Sequence, residues 1–396
     1  MNEKIKKLIG SNMDIDFSNK NWGDSVCPWN AADGTDGHKC AVKNTSICKY
    51  FCGIQYLDSV LCSYPYKNVS VLEKNDIDRD TRKNDILREE NANAVLNKAK
   101  KFIHRYARPL DLARWQYHFE NGTRDAVLDV LKEYQNEDGG FGHGLEADCF
   151  NPNSSPIQTW AATEILREIG FADNTHPIVK GILQYLSSGL HFDVERHQWL
   201  NTVPSNNDYP HAIWWTYKEG DVEFKYNPTA YLSGFFIRYG DRTSEFYDTA
   251  VKIAREAYQF WIYSMPYAEQ HVTACFIRLY EYCSQAGVKI ADMDVFRQKL
   301  ANQVRYELCS AADKWETDYV CMPSNFVETK NSIFYNDNTD LVAKECAHIK
   351  THQLEDGSFP VMWQWWTDYK EFETSKIWWK SDFCIKNLRF LREFGR

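Results

Sequence analysis

An all-α fold, built from antiparallel helix pairs behind a small Cys-rich segment, is what this 396-residue sequence predicts. Three observations predict it. From about residue 91 onward, apolar residues recur at helical spacing. Strand-like alternation bounded by Gly and Asn is nearly missing over the same stretch. One short phrase also occurs twice: Gln135-Asn136-Glu137-Asp138-Gly139-Gly140-Phe141 and Gln353-Leu354-Glu355-Asp356-Gly357-Ser358-Phe359. Each copy follows a helical run, and such recurrence reports a repeated supersecondary unit.

The elements follow in order. Residues 1–20 are polar and aperiodic, which predicts a mobile tail. Residues 21–66 hold Cys27, Cys40, Cys48, Cys52 and Cys62 and a turn-rich run from Asn30 to Gly37, a separate Cys-rich module. Residues 67–90 carry mixed charge and read as a linker or a solvated helix start. Residues 91–396 form the helical domain. Its helices are expected over about 92–106, 109–119, 124–135, 156–169, 176–188, 228–239, 243–263, 268–286, 293–310, 339–353 and 376–394. Pro156 and Pro228 fall near first turns, where a missing N–H costs least. Gly170 and Gly240 sit where a left-handed C-terminal residue is wanted. The two repeat copies begin at 135 and 353, and four helix pairs between them would take about 55 residues each. Any copy between them is degenerate, with the run Leu183 to Trp199 as a candidate.

Bulk properties exclude several partners. A net charge of −9 argues against non-specific binding to nucleic acid or an anionic membrane. The basic start, Lys4 to Lys7, leads only into Leu8-Ile9-Gly10, too brief for a signal-peptide core. No apolar run reaches membrane-spanning length, so no transmembrane segment is expected and the expected location is cytoplasmic. The 14 Trp, 23 Tyr and 22 Phe make either a ring-rich core or a ring-lined cavity.

The repeated phrase, Gln-x-x-Asp-Gly-Gly-Phe after a helix, resembles the repeat of the terpenoid cyclase and protein prenyltransferase superfamily, which includes squalene–hopene cyclases. The resemblance implies an (α/α)6 toroid over about residues 91–396. It also implies structural roles: Gln135 and Gln353 cap neighbouring helix ends, the Gly residues turn the chain, and Asp138 and Asp356 accept backbone N–H bonds. Ser358 replaces one Gly. The family's catalytic motifs are not present. Asp14-Ile15-Asp16, Asp76-Ile77-Asp78 and Asp292-Met293-Asp294 are not followed by the further Asp of Asp-x-Asp-Asp. No Asp-Asp-x-x-Asp occurs. Asp148-Cys149 are adjacent, where a prenyltransferase zinc pair has one residue between.

Chemistry is therefore sought elsewhere. The loop after the first copy carries Glu146 and Asp148, readable as an acid/base pair, as oxygen ligands or as helix caps. Asp208 and His211 stand beside Trp214 and Trp215, as a ring-walled pocket with one titrating group or as an ordered loop. Trp160, Trp363, Trp365 and Trp378 could stabilise a cation, stack on sugar faces or pack the core. Cys27, Cys40, Cys48 and Cys52 could hold a structural zinc, form disulfides or stay as buried thiols. The leading expectation is a cyclase-like toroid binding an apolar or prenyl-like small molecule, with Glu146, Asp148, Asp208 or His211 as acid or base. A glycosidase-like enzyme acting on sugars and a non-catalytic binding scaffold are the alternatives.

Overall fold

The computed structural model describes residues 94–220, 225–264 and 269–395, with the backbone of three short strands nearer the N-terminus. These strands, β1 (Asn12–Met13), β2 (Phe51–Gln55) and β3 (Ser59–Cys62), form an antiparallel sheet in the order β1-β3-β2. The rest of the predicted tail, Cys-rich module and linker lies outside the described residues. So do Cys27, Cys40, Cys48 and the Cys52 side chain, and with them the expected zinc site.

Eleven helices are described: α1 (94–106), α2 (Pro109–Phe119), α3 (Arg124–Leu131), α4 (Pro156–Glu168), α5 (Pro177–Ser187), α6 (Thr229–Tyr239), α7 (Glu245–Ser264), α8 (Gln270–Ala286), α9 (Met293–Glu307), α10 (Thr339–Thr351) and α11 (Phe372–Phe394). Helical periodicity placed each of them, and the all-α class holds for the described residues beyond the N-terminal sheet. Two ends differ. Helix α3 stops at Leu131 and tightens into a 3-10 turn, Lys132–Tyr134, because Gln135 must become extended to enter the repeat turn. Helix α11 starts at Phe372 rather than near 376. The run to Trp199 ends in a hairpin, β4 (Phe192–Asp193) with β5 (Gln198–Trp199), and not in a further repeat turn.

The chain divides into two compact units, each discontinuous in sequence. One holds residues 1–127, 352–359 and 381–385. Within it, Asp111 in the first turn of α2 is fully buried, and Arg108 Nε (2.8 Å) and Arg114 Nη1 (3.0 Å) both donate to it. Arg114 Nη2 also reaches Asp382 (2.8 Å). A buried carboxylate needs such partners. Glu120 takes hydrogen bonds from His104 Nε2 (2.8 Å) and Trp115 Nε1 (3.0 Å), with Lys100 at 3.1 Å. Burial opposes its charge, but His104, Lys100 and Trp115 prevail and hold the carboxyl down to about 2.

The second copy of the repeat belongs to this unit. Gln353 Nε2 donates to the carbonyls of Gly357 and Val95, both at 2.9 Å. Val95 is the second residue of α1. Asp356 Oδ1 accepts from the N–H and the hydroxyl of Ser358 (2.9 and 2.5 Å). Gly357 has φ +91°, and a Cβ there would sit 2.2 Å from Lys98 O.

The other unit holds residues 128–351, 360–380 and 386–396. Its centre is α6, buried from Thr229 to Ile237 on all sides, as a helix in a core interior must be. Helix α8 packs on it most extensively, with Gly234 letting the Leu279 backbone approach, and α7 packs next. The first repeat copy lies in this unit. Gln135 Nε2 donates to Gly139 O (2.9 Å) and Ile178 O (3.0 Å), and Ile178 is the second residue of α5. Asp138 Oδ1 accepts from Gly140 N–H (2.9 Å) and Ser154 Oγ (2.7 Å).

Candidate functional site

All the candidate side chains except those in the Cys-rich module lie in the second unit. Three loops meet there. Phe150 N–H donates to Pro210 O and Ala212 N–H to Asp148 O, both at 2.9 Å, while Ile213 N–H donates to Trp365 O at 3.0 Å. These backbone bonds zip the loop after the first repeat to segment 210–213, and that segment to the one before α11.

Glu146 and Asp148 are both buried, at 7% and 2% exposure. Glu146 Oε2 accepts the Asp148 N–H at 2.9 Å, and the Glu146 N–H donates to Gln158 Oε1 at 3.2 Å. Gln158 Nε2 in turn donates to Cys149 O and Asn151 O, so the loop is braced from α4. Ser155 caps α4 by accepting the Gln158 N–H. The Asp148 carboxylate collects donors from far along the chain. Trp365 Nε1 (2.6 Å) and Ser375 Oγ (2.5 Å) donate to Oδ1, and Trp363 Nε1 (3.1 Å) donates to Oδ2. Burial raises the Asp148 pKa against these bonds and that of Trp379. The arrangement makes Asp148 a positioning residue that fixes the indole planes around it. Phe150 fills in between, 5.6 Å from Trp365 and 4.9 Å from Trp378.

His211 is buried in the same place, but Asp208 does not reach it. Asp208 is exposed at the end of a 3-10 turn. His211 uses Nδ1 against Tyr209 O (2.6 Å) and Nε2 against Thr216 Oγ1 (3.0 Å). A carbonyl only accepts, so Nδ1 carries a proton and donates to it, while Nε2 shares its bond with the Thr216 hydroxyl. Both nitrogens are thus engaged in holding the loop. Trp214 is 40% exposed. Trp215 is half-buried, with its indole N–H unpaired. Trp160 lies apart, edge-on to Tyr231 at 6.3 Å.

Sequence reasoning missed Tyr319 and His271. The Tyr319 ring meets Trp363 edge-on at 5.6 Å and 78°, and Trp363 meets Trp379 at 5.2 Å and 78°. These perpendicular rings form a corner. The Tyr319 hydroxyl lies 3.0 Å from His271 Nε2. Tyr319 is 54% exposed, yet its phenol is pushed up to about 12, first by burial and then by Glu269, Cys321 and Asp148. Burial likewise lowers the His271 pKa, against Glu269 and together with Lys386. A neutral imidazole Nε2 accepts the Tyr319 O–H. Glu269 caps α8, accepting from His271 N–H (3.0 Å) and Val272 N–H (3.1 Å). An acid at a helix start was the only local signal; nothing near Tyr319 announces its partner.

Helix α8 carries this corner toward a charged network. His271, Cys275 and Arg278 stand at i, i+4 and i+7, one face of the helix. Trp160, Glu164 and Arg167 repeat that spacing on α4. Arg167 binds Glu164 (2.9 Å) and Glu328 (2.6 Å). Arg278 binds Glu281 at 2.8 Å, approaches Glu164 at 3.6 Å and pairs closely with Glu328. The Glu164, Arg167 and Glu328 side chains remain 23–34% exposed. Despite burial, the two guanidiniums hold the Glu164 and Glu328 carboxyls below the usual range. A cleft of about 200 Å³ opens beside Arg278, Glu281 and Glu328, walled by Tyr280, Phe326 and Phe334.

No family model, curated protein or solved structure matches this chain. Among the described residues, no helix is long and apolar enough to cross a membrane.

Proposed function

We propose that this chain is an α/α toroid, related in architecture to the terpenoid cyclases and prenyltransferases, that binds a polar, ring-bearing small molecule of the sugar class. Two turns of the same construction support the architecture, each tying a Gln to the second residue of a helix. The observation that carries the ligand class is the Tyr319–Trp363 corner, continued along α8 to the Glu164–Arg167–Arg278–Glu328 network. Ring faces at one end of an α8 face, with fixed hydrogen-bonding charges about two turns further along it, suit a molecule with apolar C–H faces and hydroxyl edges. An all-hydrocarbon ligand would leave those partly exposed charges desolvated and poorly compensated.

Binding is better supported than hydrolysis. A glycosidase needs one carboxyl that keeps its proton near neutral pH. Glu164 and Glu328 are held ionised, Asp148 spends its oxygens on Trp363, Trp365 and Ser375, and the two other carboxyls that burial pushes up accept from neighbours, Glu307 from Thr273 and Gln303 and Glu345 from Ser324. The experiment is a calorimetric titration of the full chain with a panel of soluble oligosaccharides and, separately, with an isoprenoid diphosphate. A saccharide should bind, and Trp363→Ala or Tyr319→Ala should weaken it about tenfold, the loss of one stacking face. Binding of the isoprenoid and of no saccharide would replace this ligand class with the prenyl-like one.

A further inference from the structure

Residues 309–321 form a loop that leaves the end of α9 and returns to its own starting point. Cys309 N–H donates to Cys321 O at 2.9 Å, closing the neck. Inside, Trp315 is buried at 4% exposure on the 3-10 turn Ala312–Glu316, and its indole N–H donates to Cys309 O at 3.0 Å. A compact loop with adjacent ends, packed by its own side chain, is an Ω-loop. The neck residues are both cysteines, and both are free thiols. Residues joined by a backbone hydrogen bond have Cα atoms about 5–6 Å apart, within the range of about 4.4–6.8 Å that a disulfide spans. The two thiols differ in access: Cys321 is buried at 8% exposure, and Cys309 is half-buried.

We propose that Cys309 and Cys321 are a redox modification site, at which a low-molecular-weight disulfide such as oxidised glutathione closes the neck of the loop. The Cys309 thiolate attacks one glutathione sulfur, forming a mixed disulfide and releasing one glutathione thiolate. The Cys321 thiolate then attacks the Cys309 sulfur, forming the Cys309–Cys321 bond and releasing the second glutathione. Two protein thiols lose two protons and two electrons; one glutathione disulfide becomes two thiols. The Cys309 thiol now donates to Ala311 O and the Cys321 thiol to Met322 O, at the long distances typical of sulfur. Rotating both side chains toward each other therefore breaks only weak bonds. Cys309 is already near enough to the Cys321 thiol to help keep it protonated, after burial, Glu307 and Glu345. A buried, protonated resolving thiol makes the second step slow.

The loop also carries Tyr319, two residues before Cys321, with its hydroxyl on His271. Closing the neck would hold that contact in place. The inference rests on the neck geometry and not on the proposed ligand.

The test treats the folded full chain with glutathione buffers from fully reduced to fully oxidised, then acid-quenches, unfolds, alkylates and digests without reductant. Mass spectrometry should find a peptide pair joined through Cys309 and Cys321, lighter by two hydrogens, while Cys149, Cys275, Cys283, Cys346 and Cys384 are recovered alkylated. Chymotrypsin cleavage after the exposed Tyr319 should slow on oxidation, recover on reduction, and show no such response in Cys309→Ser. Recovery of both cysteines alkylated in the fully oxidised buffer would overturn the proposal. So would a stable glutathione adduct on Cys309, or a bond from Cys309 to any other cysteine.

Discussion

In the turn at Gln135, the hydroxyl bound to the Asp138 carboxylate comes from Ser154, sixteen residues further on. In the turn at Gln353, it comes from Ser358, inside the turn itself. The core of the two turns is matched. The same backbone pair closes each turn: Asn136 N–H to Gly140 O and Leu354 N–H to Ser358 O, both at 2.9 Å. Each Gln spans its own turn and the second carbonyl of a helix. The Ser that breaks the Gly-Gly pattern in the second copy is therefore a relocated donor. Gly140 could not carry it, because a Cβ there would meet the Ser154 Cβ at 2.7 Å. One space is filled once, by whichever residue supplies the hydroxyl.

The largest expected effects test the part the turns share. Gly139→Ala and Gly357→Ala each place a methyl group within about 2 Å of a carbonyl at a left-handed φ. Each should destabilise its unit by about 3–5 kcal/mol in urea unfolding. A loss below 1 kcal/mol at either site would break the equivalence. Next come two carboxyls that set the units apart by pH. Glu120 is held down to about 2, so its contribution is complete above about 4.5 and is lost as pH falls toward 2. Burial pushes Glu345 up to about 7, against its two bonds from Ser324. It favours the folded state while protonated, so stability falls as pH rises from about 4.5 to 7. Each effect is about 3 kcal/mol at most. Glu120→Gln should flatten the acid limb of the stability profile, and Glu345→Gln the rise-sensitive window; a swapped or missing response would refute the assignment.

Gln135→Ala and Gln353→Ala should each cost about 2 kcal/mol, the loss of bonds to two carbonyls. Hydrogen exchange should then quicken at the first turn of α5 in one variant and of α1 in the other. The smallest effect sharpens the difference itself. Ser358→Gly and Ser154→Ala should each cost about 1 kcal/mol. Gly140→Ser should be costly alone and recover at least 1 kcal/mol in a Ser154→Gly background. Additive losses in that double-mutant cycle would mean the two serines do not share one role.

Much of this was legible in the sequence because it is local. Helical periodicity, first-turn prolines and the two repeat phrases each depend on residues within a few positions of one another. The loop at Glu146 and Asp148 was also legible, as a polar segment too long to be a mere connection. What it does was not. The donors to Asp148 are Trp363, Trp365 and Ser375, more than 200 residues away, and an Asp in sequence gives no sign of which indoles it will hold. Asp208 and His211 misled for the converse reason. Their closeness in sequence suggested a pair, but the 3-10 turn at 204–208 sends Asp208 outward while Tyr209 and Thr216 take the imidazole. Tyr319 and His271 meet only through the packing of an Ω-loop against a helix start.

The bond from Gln353 to Val95 has a consequence in time. Its two ends are 258 residues apart in the chain. At a synthesis rate of about 5–20 residues per second, the first turn of α1 leaves the ribosome roughly 10–50 s before the Gln353 donor exists. During that interval the Val95 carbonyl is without its side-chain donor, and α1 has an apolar face without its final neighbour. The first repeat has no such delay, since Gln135 is made before α5. Nascent chains stalled before residue 353 should therefore protect α5 and leave α1 exchanging freely.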